Sequence, residues 1–246
     1  MSLRHVIVLA AGKGTRMESD RAKVLHEAAG RPLVLWMCDL AAALDPATLV
    51  VVVGHQADDV ASVLPPAAVP ALQEDQLGTG HATEIGLGSI TGALDDSIVV
   101  LPGDMPLIHA ATLRALVAQH ETTAAAATVL TVRLEDPTGY GRVLREGARV
   151  VRIVEHRDAT DAERAVDEVN TSVYVFRRGD LEDALGEVTP ENSQGERYLT
   201  DVVEVLVTKG RPVGSLGAGA VEGVGVNTLD ELALASAELA RRAADA

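Results

Sequence analysis

The sequence predicts an α/β fold built on a mostly parallel, doubly wound sheet. Three observations predict it. Short runs rich in β-branched residues recur at 5–11 (HVIVLAA), 48–54 (TLVVVVG), 96–104 (DSIVVLPGD) and 128–134 (TVLTVRL). Segments with helical spacing separate them, at 32–44, 56–64, 79–88 and 111–121. The runs are apolar almost throughout rather than alternating, as strands covered on both faces must be. Right-handed crossovers then give a Rossmann-like arrangement, in which ligands bind beyond the carboxyl ends of the strands.

Each element follows in order. Pro32 suits the first position of the helix over 32–44. Beyond 134 the rhythm changes. The stretch 141–156 (GRVLREGARVVRIVEH) reads as a hairpin turning near Glu146 and Gly147. Residues 158–169 are polar and read as a helix or loop, and 172–176 (SVYVF) as another strand. This antiparallel part is expected to form a substrate-side lobe on the same sheet. A helix is expected over 197–210, stopped by Gly210, and another over 228–246 with Thr228 as its cap.

Bulk properties narrow the function. The chain has 246 residues, 47% hydrophobic and 23% charged, enough for one large domain with a substantial core. Aromatics are only 2%, so the core is aliphatic and aromatic cages are not expected. The net charge of −15 disfavours nucleic-acid binding. Residues 1–31 depart from that balance, with six cations against three acids, a net of +3. A cationic segment on an acidic chain suits a small anionic ligand, or is a solvated loop. Cys38, the single cysteine, lies in an apolar stretch and reads as buried filler. The apolar run at the start ends at Gly12, too short for a secretory signal, and no stretch approaches the ~20 apolar residues of a membrane span. A cytoplasmic setting is expected.

Three stretches sit where ligands should bind. The first, VLAAGKGTRM (8–17), carries Gly12 and Gly14 with Lys13 and Arg16 around the second glycine. It lacks the Walker pattern, and Met17 stands where a dinucleotide fingerprint needs glycine. Glycines still let backbone N–H groups approach an anion, and Lys23 follows within reach. A phosphate loop and a plain strand–turn connection both remain open. The second, LQEDQLGTGHA (72–82), is a further close-approach loop or an ordinary helix entry capped by Thr79. There the Gln73 amide could read a base edge. In the third, VVLPGDMPL (99–107), Asp104 either faces a phosphate through Mg²⁺ or marks a Gly-Asp turn.

Taken together, and with KVLH (23–26), EDPTGYGRV (135–143), IVEHRDAT (153–160), EVNT (168–171), QGERYLTD (194–201) and VEGVGVNT (221–228), the chain resembles the sugar nucleotidyltransferases. The closest resemblance is to the N-acetylglucosamine-1-phosphate uridylyltransferase domain of the bacterial GlmU family. The motifs stand in that family's order from residue 5 to about 230. The resemblance implies a nucleotide-diphospho-sugar transferase fold, with a transferase domain over 1–228 and a C-terminal helix over 229–246. It implies UTP and N-acetylglucosamine 1-phosphate as substrates, Mg²⁺ as cofactor, and UDP-N-acetylglucosamine for cell-wall precursors as product. Leu9, Ala10, Ala11 and Gly12 would contact uridine, and Gln73, Gly78 and Thr79 would hold the uracil. Arg16 and Lys23 would bind the triphosphate and stabilise charge at the reacting phosphate. Asp104 and Asn227 would hold Mg²⁺. Gly141, Glu155 and Asn170 would recognise the sugar, and Gly14 and Gly103 would complete the substrate surface.

The alternatives are a related transferase for another sugar or base, and a nucleotide sensor without turnover. A dehydrogenase is disfavoured by Met17 and by the poor fit of VVGHQADD to a ribose-binding acid. Ser172 stands where the family usually has glycine. Ser193 and Arg197 stand where alanine and tyrosine are frequent, Pro102 precedes Gly103–Asp104, and GVNT replaces the common GVNN or GVND. Family members usually continue into a β-helix with hexapeptide repeats and acetyltransferase activity. No such repeat is present in the sequence, so neither that domain nor the trimer it drives is expected.

Overall fold

A computed structural model describes residues 4–17 and 19–244. The first strand, β1 (Arg4–Ala10), is followed by two single 3₁₀ turns and a minimal hairpin of β2 (Glu27–Ala28) and β3 (Arg31–Pro32). Then come α1 (Leu33–Ala42), β4 (Thr48–Val53), α2 (Ala57–Val63), β5 (Ala68–Leu72), α3 (Thr79–Leu87), β6 (Ser97–Pro102), α4 (Ala110–Thr123) and β7 (Ala127–Arg133). The second half holds β8 (Arg142–Glu146), β9 (Arg149–Val154), α5 (Asp161–Arg164), β10 (Glu168–Arg177), α6 (Arg178–Leu185), α7 (Asp201–Thr208), β11 (Val213–Gly217) and α8 (Leu229–Ala244). Residues 245 and 246, assigned to that last helix from the sequence, lie outside the described residues.

Among the described residues one nine-stranded sheet carries the fold, with the order β11-β7-β10-β6-β1-β4-β5 and the β8–β9 hairpin hanging from β10. The pairs β1/β4, β1/β6, β4/β5 and β11/β7 are parallel. β10 lies between β6 and β7 and runs antiparallel to both. The sheet is therefore mixed and mostly parallel, and its antiparallel part enters the middle of the sheet as well as the lobe.

Alternation along β1 splits the core into two layers. Ile7 joins Val52, Val100, Leu87, Leu181 and Leu206 on the face covered by α3, α6 and α7. Val6 and Val8 join Val51, Leu101, Met37, Leu113 and Leu116 on the face covered by α1 and α4. Both sets are buried, which explains the continuous apolar runs. A third cluster, with Met17, Leu33, Val226, Ala235 and Leu239, docks α8 on the β2–β3 hairpin and brings the segment before α8 to the glycine loop.

Several boundaries differ from the sequence expectation. Pro32 caps α1 rather than opening it. The helix expected from 197 starts at Asp201, because Arg197 is engaged by α3: its carbonyl accepts from Gly80 N at 2.8 Å. Within 158–169 only Asp161–Arg164 is helical, closed by a Thr160–Glu163 capping box, and Glu168 already belongs to β10. β5 and β11 are strands that the pattern did not reveal. β5 contains Pro70, tolerated because β5 is an edge strand.

Candidate active site

The site forms where β1 and β6 end side by side. Leu9 pairs with Pro102, and the Gly103 N–H donates to the Leu9 carbonyl at 2.9 Å. A β-carbon on Gly103 would sit 2.8 Å from that oxygen, so the close approach of the two chain segments needs glycine. The loop leaving β1 then turns through Gly14 at φ +66, a left-handed conformation that side chains resist. It packs against Lys23, whose side chain comes back across the loop.

Four polar side chains from three distant parts of the chain meet here. The Lys23 ammonium is ion-paired with Asp104 and donates to Asn227 Oδ1 at 3.0 Å. Arg16 donates to the same Oδ1 at 2.8 Å. Asn227 is held for this role. Its Nδ2 donates to the Gly225 carbonyl at 3.1 Å, which turns Oδ1 toward the cations. Its backbone N–H donates to Glu231, which also closes a capping box with Thr228, the cap expected from the sequence. Val226 N donates to the Asp104 carbonyl at 2.9 Å and ties the segment to β6.

The donor set bears on a metal. Asp104 and Asn227 offer two hard oxygens that already converge on one cation, the Lys23 ammonium. Among the described residues no three His, Cys, Asp or Glu side chains group as a metal site. One carboxylate and one amide oxygen fit Mg²⁺, which keeps waters and takes its remaining ligands from phosphates.

At the other end, β8–β10 build a second cluster. Asn170 N donates to the Gly141 carbonyl at 2.9 Å, and Asn170 Oδ1 accepts from Ser172 N at 2.9 Å, across a bulge in β10. Ser172 sits in that bulge at φ +61. Glu155 follows β9 and accepts from the Thr200 hydroxyl at 3.2 Å. Burial pushes its carboxyl above the usual range, against the Thr200 hydrogen bond, and Asp201, Asp158 and Glu196 push the same way. Beneath the loop the fully buried Arg142 donates to the Tyr140 and Arg164 carbonyls. Tyr140 is hydrogen-bonded to the Gly225 backbone, and burial raises its phenol.

A single open cleft of about 650 Å³ joins the two ends. All sixteen residues named from the sequence line it, from Leu9 to Asn227. Gln73 is buried on its wall and Gly78 turns toward it at φ +104. Thr79 does not cap α3; Gly78 does, and the Thr79 hydroxyl instead accepts from Leu199 N at 3.0 Å. Sequence reasoning missed Tyr140, Ser172 and Glu196 as lining residues, though each falls within or beside a quoted motif. It also missed Glu231 and Thr200, which orient Asn227 and Glu155. Only the T-x-x-E spacing of 228–231 gave a readable signal.

A glycine loop at a strand end, with cations, oxygen donors and a polar pocket along one cleft, defines a nucleoside-triphosphate transferase class of α/β domain. The chain belongs to the MobA-like NTP transferase domain family, whose family model matches residues 6–202. It is similar to the bifunctional protein GlmU of Streptomyces avermitilis, 48% identical over 234 residues, covering 93% of this chain and 48% of that protein. GlmU of Corynebacterium efficiens is 45% identical over 250 residues (98% and 51%), and that of Brevibacillus brevis 46% over 244 (98% and 53%). The chain thus spans about half the length of these curated relatives. In fold it is similar to a Bacillus anthracis protein assigned as a glucose-1-phosphate thymidylyltransferase and solved with sucrose. The TM-score is 0.77 at 18% identity, covering 96% of this chain and 94% of that one.

Proposed function

We propose that this chain transfers a uridylyl group from UTP to N-acetylglucosamine 1-phosphate, forming UDP-N-acetylglucosamine and pyrophosphate for cell-wall precursors. The observation that carries the reading is the meeting of Arg16, Lys23, Asp104 and Asn227 at one end of the cleft that Gly141, Glu155 and Asn170 line at the other. The similarity to GlmU proteins supports the choice of base and sugar.

The sugar phosphate oxygen attacks the α-phosphorus, the bond to the bridging oxygen breaks, and pyrophosphate leaves. The nucleophile is already an anion, so the residues need supply no general base. Arg16 and Lys23 neutralise the charge that builds on the phosphates, and backbone N–H groups around Gly12 and Gly14 cradle them. Asp104 and Asn227 would hold Mg²⁺, which would supply further neutralisation of the phosphate charge when bound. Lys23 leaves Asp104 for the triphosphate as substrate enters. Leu9, Ala10, Ala11 and Gly12 face the uridine, Gln73, Gly78 and Thr79 its base, and Gly103 completes the floor. Glu155 and Asn170 bond the sugar hydroxyls and acetamide, and fix the attacking oxygen in line.

The catalytic unit is proposed to span 1–228, with α8 as its closing brace. No helix among the described residues is long and apolar enough to cross a membrane, and a cytoplasmic site fits nucleotide substrates.

Pyrophosphate release is measured with UTP or dTTP, Mg²⁺ and a panel of sugar 1-phosphates. Release is expected with UTP and N-acetylglucosamine 1-phosphate, and Asp104→Ala abolishes it while leaving the fold intact. UTP binding without turnover would make the chain a sensor and overturn the reading.

A further inference from the structure

The Gln73 amide is oriented by the protein alone. Its nitrogen donates to the Gly78 carbonyl at 3.2 Å and meets His81 Nδ1 at 3.1 Å. A carbonyl oxygen can only accept, so the atom facing it must be the amide nitrogen. Its second hydrogen then goes to His81, whose Nδ1 serves as acceptor with the ring proton on Nε2. Both amide hydrogens are therefore spent inside the protein. The Gln73 oxygen makes no hydrogen bond among the described residues, and Gln73 lines the cleft. Gln73 is 3% exposed, so its amide has little room to turn freely.

An acceptor fixed in that position selects for a base edge that donates. Uracil and thymine carry N3–H. Cytosine has a lone pair at N3, which would face another lone pair, an arrangement without a hydrogen bond and with both groups desolvated. We propose that His81 is a positioning residue for base selection: it holds the Gln73 amide with its oxygen toward the cleft, so that an N3–H pyrimidine is accepted and cytosine refused. His81 stands on the first turn of α3, and its contact with Gln73 crosses from the helix to the end of β5. This rests on the nucleotide reading of the cleft, not on which sugar is transferred.

The test is equilibrium binding of UTP, CTP and N3-methyl-UTP to the chain and to two variants. The unmodified protein should bind UTP well above both others; parity overturns the proposal. His81→Phe removes the acceptor but keeps a ring, and should narrow the UTP-to-CTP ratio about fivefold, the worth of one hydrogen bond. His81→Asn, whose Oδ1 can accept, should recover most of the ratio. A merely structural histidine would weaken UTP and CTP in equal proportion, and that result, or no change, sinks the idea. If His81→Phe does not fold, His81→Leu, which also lacks an acceptor at that place, takes its part with the same narrowing expected. UTP binding with this selectivity but no pyrophosphate release would refute the transferase reading and leave the role of His81 standing. Failure to bind UTP at all would refute both.

Discussion

Gly14→Ala places the heaviest load on the smallest change. At φ +66 an alanine carries a left-handed penalty of about 1–2 kcal/mol, partly offset by about 0.4–1 kcal/mol from a less flexible unfolded chain. The new β-carbon would also lie 2.4 Å from Lys23 Cβ and 3.1 Å from Cγ. That is the root of the side chain, not its flexible tip, so the loop or the Lys23 turn must shift. Such overpacking costs about 1–3 kcal/mol. The net loss is about 1–5 kcal/mol, and with about 2–4 °C per kcal/mol for a domain of this size the melting temperature should fall by roughly 2–18 °C. The shift also carries the ammonium away from Asp104 and from the phosphates. Losing one charge-assisted hydrogen bond, about 1.5–3 kcal/mol, should slow turnover roughly 10- to 100-fold. Pyrophosphate release against UTP concentration, with a thermal melt, measures both effects. Gly12→Ala is the control for stability, because nothing lies within 4 Å of its added carbon and its φ is ordinary. Wild-type turnover and melting temperature in Gly14→Ala would refute the reasoning.

Ser172→Gly should stabilise the fold by about 0.5–1 kcal/mol, read by calorimetry as a rise of roughly 1–3 °C. It relieves the φ of +61 and leaves the Ser172 N–H to Asn170 bond in place. A lower melting temperature would count against strain in the bulge. Asp201→Asn should stabilise at neutral pH by up to about 2 kcal/mol. Burial, with help from Glu204 and Asp158 against Arg152, raises its carboxyl from 3.8 to about 6. The folded chain therefore holds this proton more tightly than the unfolded one. Its contribution is full below the unfolded value and is lost as pH rises through about 6. In denaturant melts the gap between variant and wild type should open between pH 4 and pH 7.5; an equal gap at both would rule this out.

The parallel strands were legible because they are buried on both faces, and continuous β-branched runs leave few other structures. The loop after β1 was legible as a place of close approach, and the ordered motifs carried the rest of the site. β5 and β11 were not legible. One is broken by Pro70, and the other, VGSLG, has neither a run of large apolar residues nor clean alternation. The place of β10 was also hidden: antiparallel structure was expected only as a late lobe, and local pattern does not show that this strand inserts between β6 and β7. The start of α7 was set by Arg197 being pinned to α3, a contact made across more than a hundred residues.

By itself, then, the sequence pointed to candidate residues for an anion and a base through chemical type and local spacing, and to those for a sugar only through the resemblance of its ordered motifs to a family. Only the tertiary structure decided what they are bound to and which way they face. Lys23 meets Asp104 and Asn227 because β1, β6 and the entry to α8 converge at one sheet edge. The Asn227 and Gln73 amides present oxygen to the cleft because the Gly225 and Gly78 carbonyls take their nitrogens. An amide in a sequence is both donor and acceptor; its neighbours in space leave it only one of the two to offer.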